Sequence, residues 1–407
     1  LPQVKAVRCT NKPNPNNNTK APSPALTAPA LWFGPVQNGK VQMYSASVST
    51  YPGSSSSRIF LQELKTQTDP ARPGRHSLAA LDTQNIKSRE PNFNSRQTVI
   101  RLPGGVYKIN PGKNGGRVAG INGNDGKNDT FGIFKDRYVT PETDEWSEVL
   151  LPWTARYYGN DDIFKTFNQP NNKKQSDKKQ YSQKYRIRTK EDDNDKPRDL
   201  GDIVNSPIVA VDGYLATSAN DGMVHIFKKN GGSDERSYNL KLSYIPGTME
   251  RKDIEGNDSD LAKELRTFAE KGYVGDRYGV DGGFVLRRIT DDQDKQKHFF
   301  MFGAMGLGGR GAYALDLSKI DSSNLTGVSM FDVQNDKNNN KNDNNRVKLG
   351  YTVGTPQIGK TQNGKYAAFL ASGYAAKDIN SNDNKTALYV YDLENGSGSL
   401  IKKIEAP

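Results

Sequence analysis

Three parts of this chain follow the same order of strands and turns, and this repetition restricts the fold more than any other feature. The first strand begins at Ser-Pro or Thr-Pro. The second strand ends in small residues. The third strand has aromatic or aliphatic residues that alternate between its two faces, and it ends on a polar residue. The matching strands are NSPIVAV and GTPQIG, then YLATSAN, FMFGAMG and AFLASGY, then VHIFKK, AYALDL and LYVYDL. Turns such as Asp-Gly and Asn-Asp-Gly are typical of antiparallel hairpins. The irregular spacing indicates a repeat with loops inserted between its strands.

Repeated antiparallel units with glycine at strand ends predict an all-β fold, a modified β-propeller with long loop insertions. Inner strands of several blades would converge near an axis, where small side chains fit best. The residues expected near that axis are Ala216, Ser218, Gly303, Ala304, Ala371 and Gly373. A β-sandwich is the alternative architecture, and it explains the hairpins but not the repeated phrase.

Composition divides the chain into an arm and one large domain. Residues 1–30 are rich in Asn, Pro and Lys and predict a disordered or extended arm. Residues 31–407 form the predicted propeller, with the first blades over 31–160, a basic insertion over 160–200 and the best-conforming blades over 200–407.

Local signals place hairpins and one helix. Gln37-Asn38-Gly39 predicts a turn between LWFG and VQMYSASV, and Pro-Gly-Gly predicts another in RLPGGVYKI. The sequence predicts one short helix, at about 257–271, because its leucines and phenylalanine recur on one face. Asn257, Asp258 or Ser259 could cap its start, and Gly272 would end it.

The charge of the chain favours anionic partners. The net charge is +11 among 407 residues, and much of it lies in 171–188 and 335–345. We expect a partner-binding role for one lysine group, with an ordinary solvated loop as the alternative: Lys173, Lys174, Lys178 and Lys179. No apolar run is long enough to span a bilayer. The one cysteine, Cys9, excludes an intrachain disulfide, and it is either a spare thiol or the partner of a cysteine outside this sequence.

The motifs that could carry catalysis are weak. GLGGRG, at 306–311, matches a dinucleotide fingerprint by letter, but the strand-like AYALDL follows it where a helix is required. His76, His225 and His298 are not at metal-ligand spacing. We therefore predict a protein that is not an enzyme. The alternative is a quinoprotein-like propeller enzyme with a cofactor in its central channel. A third hypothesis, a basic propeller that binds nucleic acid, has less support because the basic tracts lack clustered aromatic residues.

Two Asp/Asn runs resemble calcium loops, because oxygen-bearing side chains alternate along them. The metal candidates are Asp336, Asn338, Asn340 and Asn342, and a second run is Asp378, Asn380 and Asn382. The first run lacks the turn glycine and the terminal bidentate carboxylate of a calcium loop, so a plain polar loop is the alternative.

Six phrases in order resemble the C-terminal domain of the PilC/PilY proteins, the tip-associated biogenesis factors and adhesins of bacterial type IV pili. They are LGDIVNSPIVAV, SANDGMVHIF, YIPG, YGVDGGF, GLGGRGAYALDL and LGYTVGTPQIG, and the resemblance is strongest over about 199–395.

The resemblance implies a modified β-propeller on an exported protein at the bacterial outer membrane, cell surface and pilus tip. It also implies a role in pilus assembly and host-cell attachment, with minor pilins and a host receptor as partners. The family's calcium loop would follow LIKKIEAP, so no residue here is assigned to it, and the propeller would be incomplete or closed by strands outside this sequence.

Overall fold

The fold is described here from a computed structural model. It describes residues 31–34, 36, 38–48, 57–79, 90–110, 118, 120–121, 125–133, 145–156, 161–169, 181, 183–190, 196–197, 199–230, 238–273, 275–337, 345–374 and 385–407. The arm predicted over 1–30, with Cys9, lies outside these residues, so that expectation stays a prediction.

The first principal sheet is an antiparallel meander in the order β1-β2-β3-β4. Its strands are β1 (Leu31–Phe33), β2 (Lys40–Val48), β3 (Ser57–Thr68) and β4 (His76–Leu78). Asn38 and Gly39 both have positive φ in the connection between β1 and β2. The hairpin predicted from Asn-Gly is therefore confirmed.

The second principal sheet has six strands in the order β6-β5-β12-β11-β10-β9. They are β5 (Gln97–Leu102), β6 (Gly105–Ile109), β9 (Val209–Val211), β10 (Tyr214–Ala219), β11 (Met223–Lys229) and β12 (Tyr238–Pro246). Leu102 pairs with Gly105 across the predicted Pro-Gly turn, and Val211 pairs with Tyr214 across Asp212-Gly213. Strand β5 joins β12 in parallel, which extends the meander of β9 to β12.

The third and fourth principal sheets are four-stranded antiparallel meanders in chain order. The third contains β15 (Phe284–Thr290), β16 (Gln296–Ala304), β17 (Ala312–Asp316) and β18 (Ser329–Val333). The fourth contains β19 (Gln357–Lys360), β20 (Tyr366–Ala371), β21 (Ala387–Asp392) and β22 (Leu400–Glu405).

The repeat inferred from the sequence is a repeat of structure. Strands β11, β17 and β21, which carry VHIFKK, AYALDL and LYVYDL, are each third in a four-strand meander. All three have a register shift after the third residue of the aligned phrase, at Ile226/Phe227, Ala314/Leu315 and Val390/Tyr391. A shared irregularity at one position is strong evidence of equivalence, since such bulges are specific features of a sheet.

Successive sheets pack face to face. Ile59 and Leu61 of the first sheet share a core with Leu215, Phe227 and Leu240 of the second. Strand β16 then faces two ways: Phe299 and Met301 join the core shared with the second sheet, and Phe300 and Phe302 join the core shared with the fourth. This alternation is the two-residue period of a strand buried on both faces.

The first strands of the last three sheets lie beside one another, because β15 contacts both β9 and β19. The residues expected near an axis lie instead on or just after the second strands β10, β16 and β20. Gly303 shows why one of them is small: a Cβ there would lie 2.1 Å from the Tyr313 ring. The described residues are mostly β and do not form a closed ring of sheets.

The predicted helix is α3, Leu261–Ala269, and it is shorter than expected. Its N-cap is Asp260, whose carboxylate accepts from the Lys263 amide at 2.9 Å. None of the three predicted caps was correct, because β14 (Asp258–Asp260) pairs with β13 (Glu250–Lys252) and carries the chain extended up to residue 260. Gly272, with φ of +87°, lies three residues beyond the helix end.

The prediction of a single helix was wrong. A π-helical segment, Trp146–Leu150, runs into α1 (Leu151–Thr154), and α2 (Asp161–Phe167) lies within the stretch expected to be a basic insertion. Pro152 in the first turn of α1 is compatible with a helix start. Residues 149–153 form an unbroken apolar run, so they showed no helical period. Short 3₁₀ turns occur at Asn128–Phe131, Gly306–Gly308, Leu317–Lys319 and Leu325–Val328, and β7 (Thr189–Lys190) pairs with β8 (Lys196–Pro197).

Candidate functional site at the junction of the sheets

The loops that lead into the last three sheets meet at one junction. Asn205 holds Asp281 with its backbone N–H, 3.2 Å from Oδ1, and with its side-chain amide, 2.8 Å from Oδ2. Asp281 is buried, and burial raises the pKa of its carboxyl. This contact fixes the entry to the second sheet against the entry to the third.

The Asn220-Asp221-Gly222 turn is the docking point for the chain entering β15. The Gly279 amide donates to Asn220 Oδ1 at 3.1 Å, and the Val280 amide donates to the Ala219 carbonyl at 3.1 Å. A Cβ on Gly279 would lie 2.6 Å from the Gly222 nitrogen. Glycine at 279 is therefore required by the close approach of two backbones.

Thr352 ties the fourth sheet into the same junction. Its hydroxyl accepts from the Met305 amide at 2.9 Å and donates to the Gly311 carbonyl at 2.6 Å. Its carbonyl accepts from the Gly306 amide at 2.8 Å. The glycine-rich 306–311 segment is thus a tight backbone-packing loop before β17, and the prediction that it is not a dinucleotide fingerprint is supported by the strand that follows it.

Four exposed apolar residues are adjacent in the chain, or paired through the backbone, to these anchors, and we call them the junction rim. Tyr278, Leu307, Val353 and Tyr374 are 37%, 39%, 43% and 57% exposed. Each is next to an anchoring contact: Tyr278 precedes Gly279, Leu307 follows Gly306, Val353 follows Thr352, and the Tyr374 backbone pairs with Tyr351. The junction thus presents apolar and aromatic surface to solvent on a backbone held by hydrogen bonds.

A Ser-His-Asp constellation lies beneath the junction. His225 Nδ1 is 2.8 Å from Ser243 Oγ, and Nε2 is 3.0 Å from Asp221 Oδ2. Burial lowers the pKa of His225, against the raising effect of Asp221. Burial by itself would raise the pKa of Asp221, but the His225 contact and the nearby Arg156 and Arg96 charges outweigh it and lower that pKa.

This constellation has the atoms of a nucleophilic triad but no access for a substrate. Ser243 and His225 are 0% exposed, and Asp221 also accepts the Gly201 and Met223 amides at 3.0 and 3.2 Å. Satisfied buried polar groups of this kind specify packing. Its role is to hold β11, β12 and the Asn-Asp-Gly turn in register.

A second buried polar network joins the second and third sheets around Asp332. Tyr244 Oη donates to its Oδ1 and Thr248 Oγ1 to its Oδ2, both at 2.9 Å, and Arg101 Nε lies 3.8 Å away. Burial raises the pKa of Asp332 to about 6, against the lowering effect of Arg101. The carboxyl therefore titrates in a range where an ordinary aspartate is already ionised.

The predicted calcium residues are only partly described. Asp336 uses Oδ2 to accept the Val347 amide at 3.0 Å, and its own amide donates to the Val347 carbonyl. Asn338, Asn340 and Asn342 lie outside the described residues, as do Asp378, Asn380 and Asn382. Among the described residues, no group of three His, Cys, Asp or Glu side chains could hold a metal ion.

The predicted partner-binding lysines, Lys173, Lys174, Lys178 and Lys179, also lie outside the described residues. Of the other histidines, His76 is exposed on β4, and His298 stacks on Phe300 with ring centroids 4.9 Å apart. His298 Nε2 is 3.6 Å from Glu394.

Two groups escaped the sequence reading: the Ser243-His225-Asp221 constellation and an arginine cluster at Trp153. The first had a weak signal, since Asp221 and His225 are four apart across a tight turn. The arginine cluster had no sequence signal, because Arg156, Arg186 and Arg188 come together only when two segments distant in the chain meet at Trp153.

Comparison with known proteins finds relatives for about half of the chain. A family profile described as the PilY1 beta-propeller domain matches residues 200–407. The type IV pilus biogenesis factor PilY1 homolog of Xylella fastidiosa is 29% identical over 193 residues, which cover 47% of this chain and 10% of that protein. The type IV pilus biogenesis factor PilY1 of Pseudomonas aeruginosa is 29% identical over 221 residues, covering 51% of this chain and 17% of that protein.

The match is therefore to a small part of much longer relatives. Among solved structures, the C-terminal domain of Pseudomonas aeruginosa PilY1 is similar with a TM-score of 0.29 and 23% identity, over 47% of this chain and 30% of that one. Within the described residues, no helix has the length and apolar character needed to cross a membrane.

Repeated antiparallel sheets packed face to face, with a closely packed glycine-rich junction, define a mostly-β repeat protein. The family match identifies which one: the chain belongs to the PilY1 beta-propeller domain family of type IV pilus biogenesis factors. The resemblance to the PilC/PilY proteins is thereby confirmed.

Proposed function

We propose that this protein is a non-enzymatic contact protein of the type IV pilus, which acts as an assembly factor and adhesin at the pilus tip after export to the bacterial surface. Family membership over 200–407 is the observation that carries the proposal. The names of its relatives, type IV pilus biogenesis factors, support the same role.

The scaffold for this function is a modified propeller, in which each principal sheet is one blade. Two features support this arrangement. Sheets that follow one another in the chain share cores, and the first strands β9, β15 and β19 lie side by side. Adjacent first strands are what a radial arrangement of blades about an axis requires.

The junction rim is the proposed contact surface for minor pilins. Exposed aromatic and aliphatic side chains on a rigid backbone lose little conformational entropy on binding, and aromatic side chains are enriched in protein interfaces. Tyr278 and Tyr374 supply the aromatic part, and Leu307 and Val353 the aliphatic part.

Replacing the four rim residues by serine in the full-length gene should reduce the number of surface pili. The matched control replaces Ile401 and Ile404, each 49% exposed on β22, by serine. If the rim variant folds and the cells still carry the full number of pili, the rim has no role in pilus assembly. Host-cell attachment, measured on the same strains, tests the adhesin role separately.

The basic loop is the proposed contact with anionic host surface. Replacing Lys173, Lys174, Lys178 and Lys179 by glutamine should weaken host-cell attachment and flatten its dependence on salt, since exposed charges are screened beyond about 8 Å at physiological ionic strength. The control replaces four exposed lysines elsewhere: Lys295, Lys297, Lys360 and Lys365. Equal attachment by both variants would argue against this loop.

A further inference from the structure

Three arginines lie where the 145–156 segment meets the 183–190 segment, and two of them, Arg186 and Arg188, lie over the Trp153 ring. The Arg188 guanidinium carbon is 3.5 Å from the centre of the Trp153 ring, and the Arg186 guanidinium carbon is 5.3 Å from it. The Trp153 indole N–H donates to the Arg186 carbonyl at 2.7 Å, which fixes the two segments together. Arg156, with φ of +53°, follows α1 immediately after Ala155.

Most of the hydrogen-bonding capacity of these guanidinium groups is unused. Arg188 is 8% exposed, and its Nε, Nη1 and Nη2 are buried without an acceptor. Arg156 Nε and Nη1 and Arg186 Nε are likewise buried without an acceptor. Arg186 Nη2 donates to the Phe268 carbonyl at 2.8 Å. Stacking on Trp153 is favourable for a cation, but it satisfies no N–H donor.

The nearby carboxylates do not remove this excess of donors. Asp199 and Asp221 attract Arg156, and Asp202 and Asp221 attract Arg186, but Arg156 Nε and Nη1 and Arg186 Nε still have no hydrogen-bond acceptor. Arg186 and Arg96 repel Arg156, and burial with these repulsions lowers the pKa of Arg156 to about 9. Buried charges in folded proteins are paired, because leaving them unpaired is costly.

We propose that Arg156, Arg186 and Arg188 form a binding site for an oxyanion with at least two acceptor oxygens, the chemistry that phosphate and carboxylate share. The planar fork of a guanidinium matches two oxygens of such a group. As whole residues Arg156 and Arg186 are half-buried and Arg188 is buried, and the unpaired donor nitrogens themselves are covered. This site is separate from the junction rim and does not depend on the proposed function.

The test is thermal unfolding and calorimetric titration of the protein with sodium phosphate, sodium acetate and an aspartate-containing peptide, against sodium chloride at equal ionic strength. We expect a saturable rise in Tm with an oxyanion beyond that in chloride. A response to phosphate alone identifies a free phosphate ligand. A response to acetate and the peptide identifies a carboxylate carried by a partner. No response beyond chloride overturns the proposal.

Location is tested by hydrogen exchange and by variants. Oxyanion binding should protect 145–156 and 183–190 in the unmodified protein, and protection elsewhere only would overturn the assignment. Arg188→Gln should weaken binding at least about tenfold, because it removes charge-assisted hydrogen bonds. Arg188→Lys keeps the positive charge but loses the planar fork, so its affinity for the oxyanion should lie between those of the original protein and Arg188→Gln. Arg287→Gln, at an exposed position on β15, should leave the affinity unchanged.

Discussion

At the scale of single residues, the buried carboxyl of Asp332 makes stability depend on pH. Its pKa in the folded protein is about 6, above the value of an unfolded aspartate, because burial disfavours the charged form. A raised pKa in the folded state means that the favourable contribution is complete below about pH 4 and is lost as the pH rises through 6.

Asp332→Asn should remove this dependence. Between pH 4 and pH 7, the free energy of unfolding of the original protein should fall relative to that of the variant by up to about 3 kcal/mol. Urea unfolding at both pH values measures the difference. If the difference in unfolding free energy between the two proteins is the same at both pH values, the raised pKa does not belong to Asp332.

Gly303 is a residue at which packing, rather than backbone conformation, demands glycine. A Cβ there would overlap the Tyr313 ring, so Gly303→Ala should cost about 1–3 kcal/mol of unfolding free energy. Gly327→Ala is the matched control, because its Cβ would be 3.4 Å from the flexible Lys319 side chain. Adding Tyr313→Leu to Gly303→Ala should recover part of the loss if the ring is the cause, as measured by a double-mutant cycle.

At the scale of elements, the start of α3 shows how a neighbouring strand overrides local sequence signals. Asp260→Ala should destabilise the protein by about 1 kcal/mol, because the Lys263 amide loses its acceptor. Asp258→Ala, at a position that the sequence offered as a cap, should cost less than about 0.5 kcal/mol, since its ion pair with Lys252 is exposed. Thermal unfolding of both variants gives the comparison, and a larger loss for Asp258→Ala would contradict the assigned cap.

The elements that the sequence could predict are those specified by adjacent residues. Asn38-Gly39 and Asp212-Gly213 adopt positive φ and produced the hairpins expected of them. The repeated third strand was also evident, since its alternation and its polar end lie within six residues. The 145–156 helical segment was not, because its unbroken apolar run over 149–153 has no period that distinguishes helix from strand.

The site was harder to predict than the fold because its contacts are long-range. Asn205 contacts Asp281, and Gly279 contacts Gly222, across more than fifty residues. The glycines were visible in the sequence, but their partners were not. The predicted calcium and lysine residues, apart from Asp336, lie outside the described residues and stay predictions.

The equivalent third strands carry different residues at one shared position. His225, Tyr313 and Tyr389 each stand two residues before the register shift. His225 is held by Asp221 and Ser243, and Tyr389 Oη donates to the Lys348 carbonyl at 3.1 Å, whereas Tyr313 Oη is buried without a partner. The three repeats therefore share their backbone geometry at this position, but the polar contacts differ from sheet to sheet.

At the scale of the whole molecule, β16 connects two interfaces through alternate side chains. Phe299→Ala and Phe302→Ala should each cost about 3–5 kcal/mol, but they should loosen different neighbours. Hydrogen exchange should rise in the second sheet, over 209–229 and 238–246, for Phe299→Ala. For Phe302→Ala it should rise in the fourth sheet, over 357–371 and 387–405. Identical exchange patterns in the two variants would contradict the face-to-face packing.

Because Phe299 to Phe302 on β16 are packed on both faces, a polar side chain at any of these four positions would displace closely packed apolar atoms. We expect added length to be tolerated better between strands, as between Val333 and Gln357 or between Ala371 and Ala387. Related bacteria should therefore differ in the lengths of these two stretches while Phe299 to Phe302 drift little.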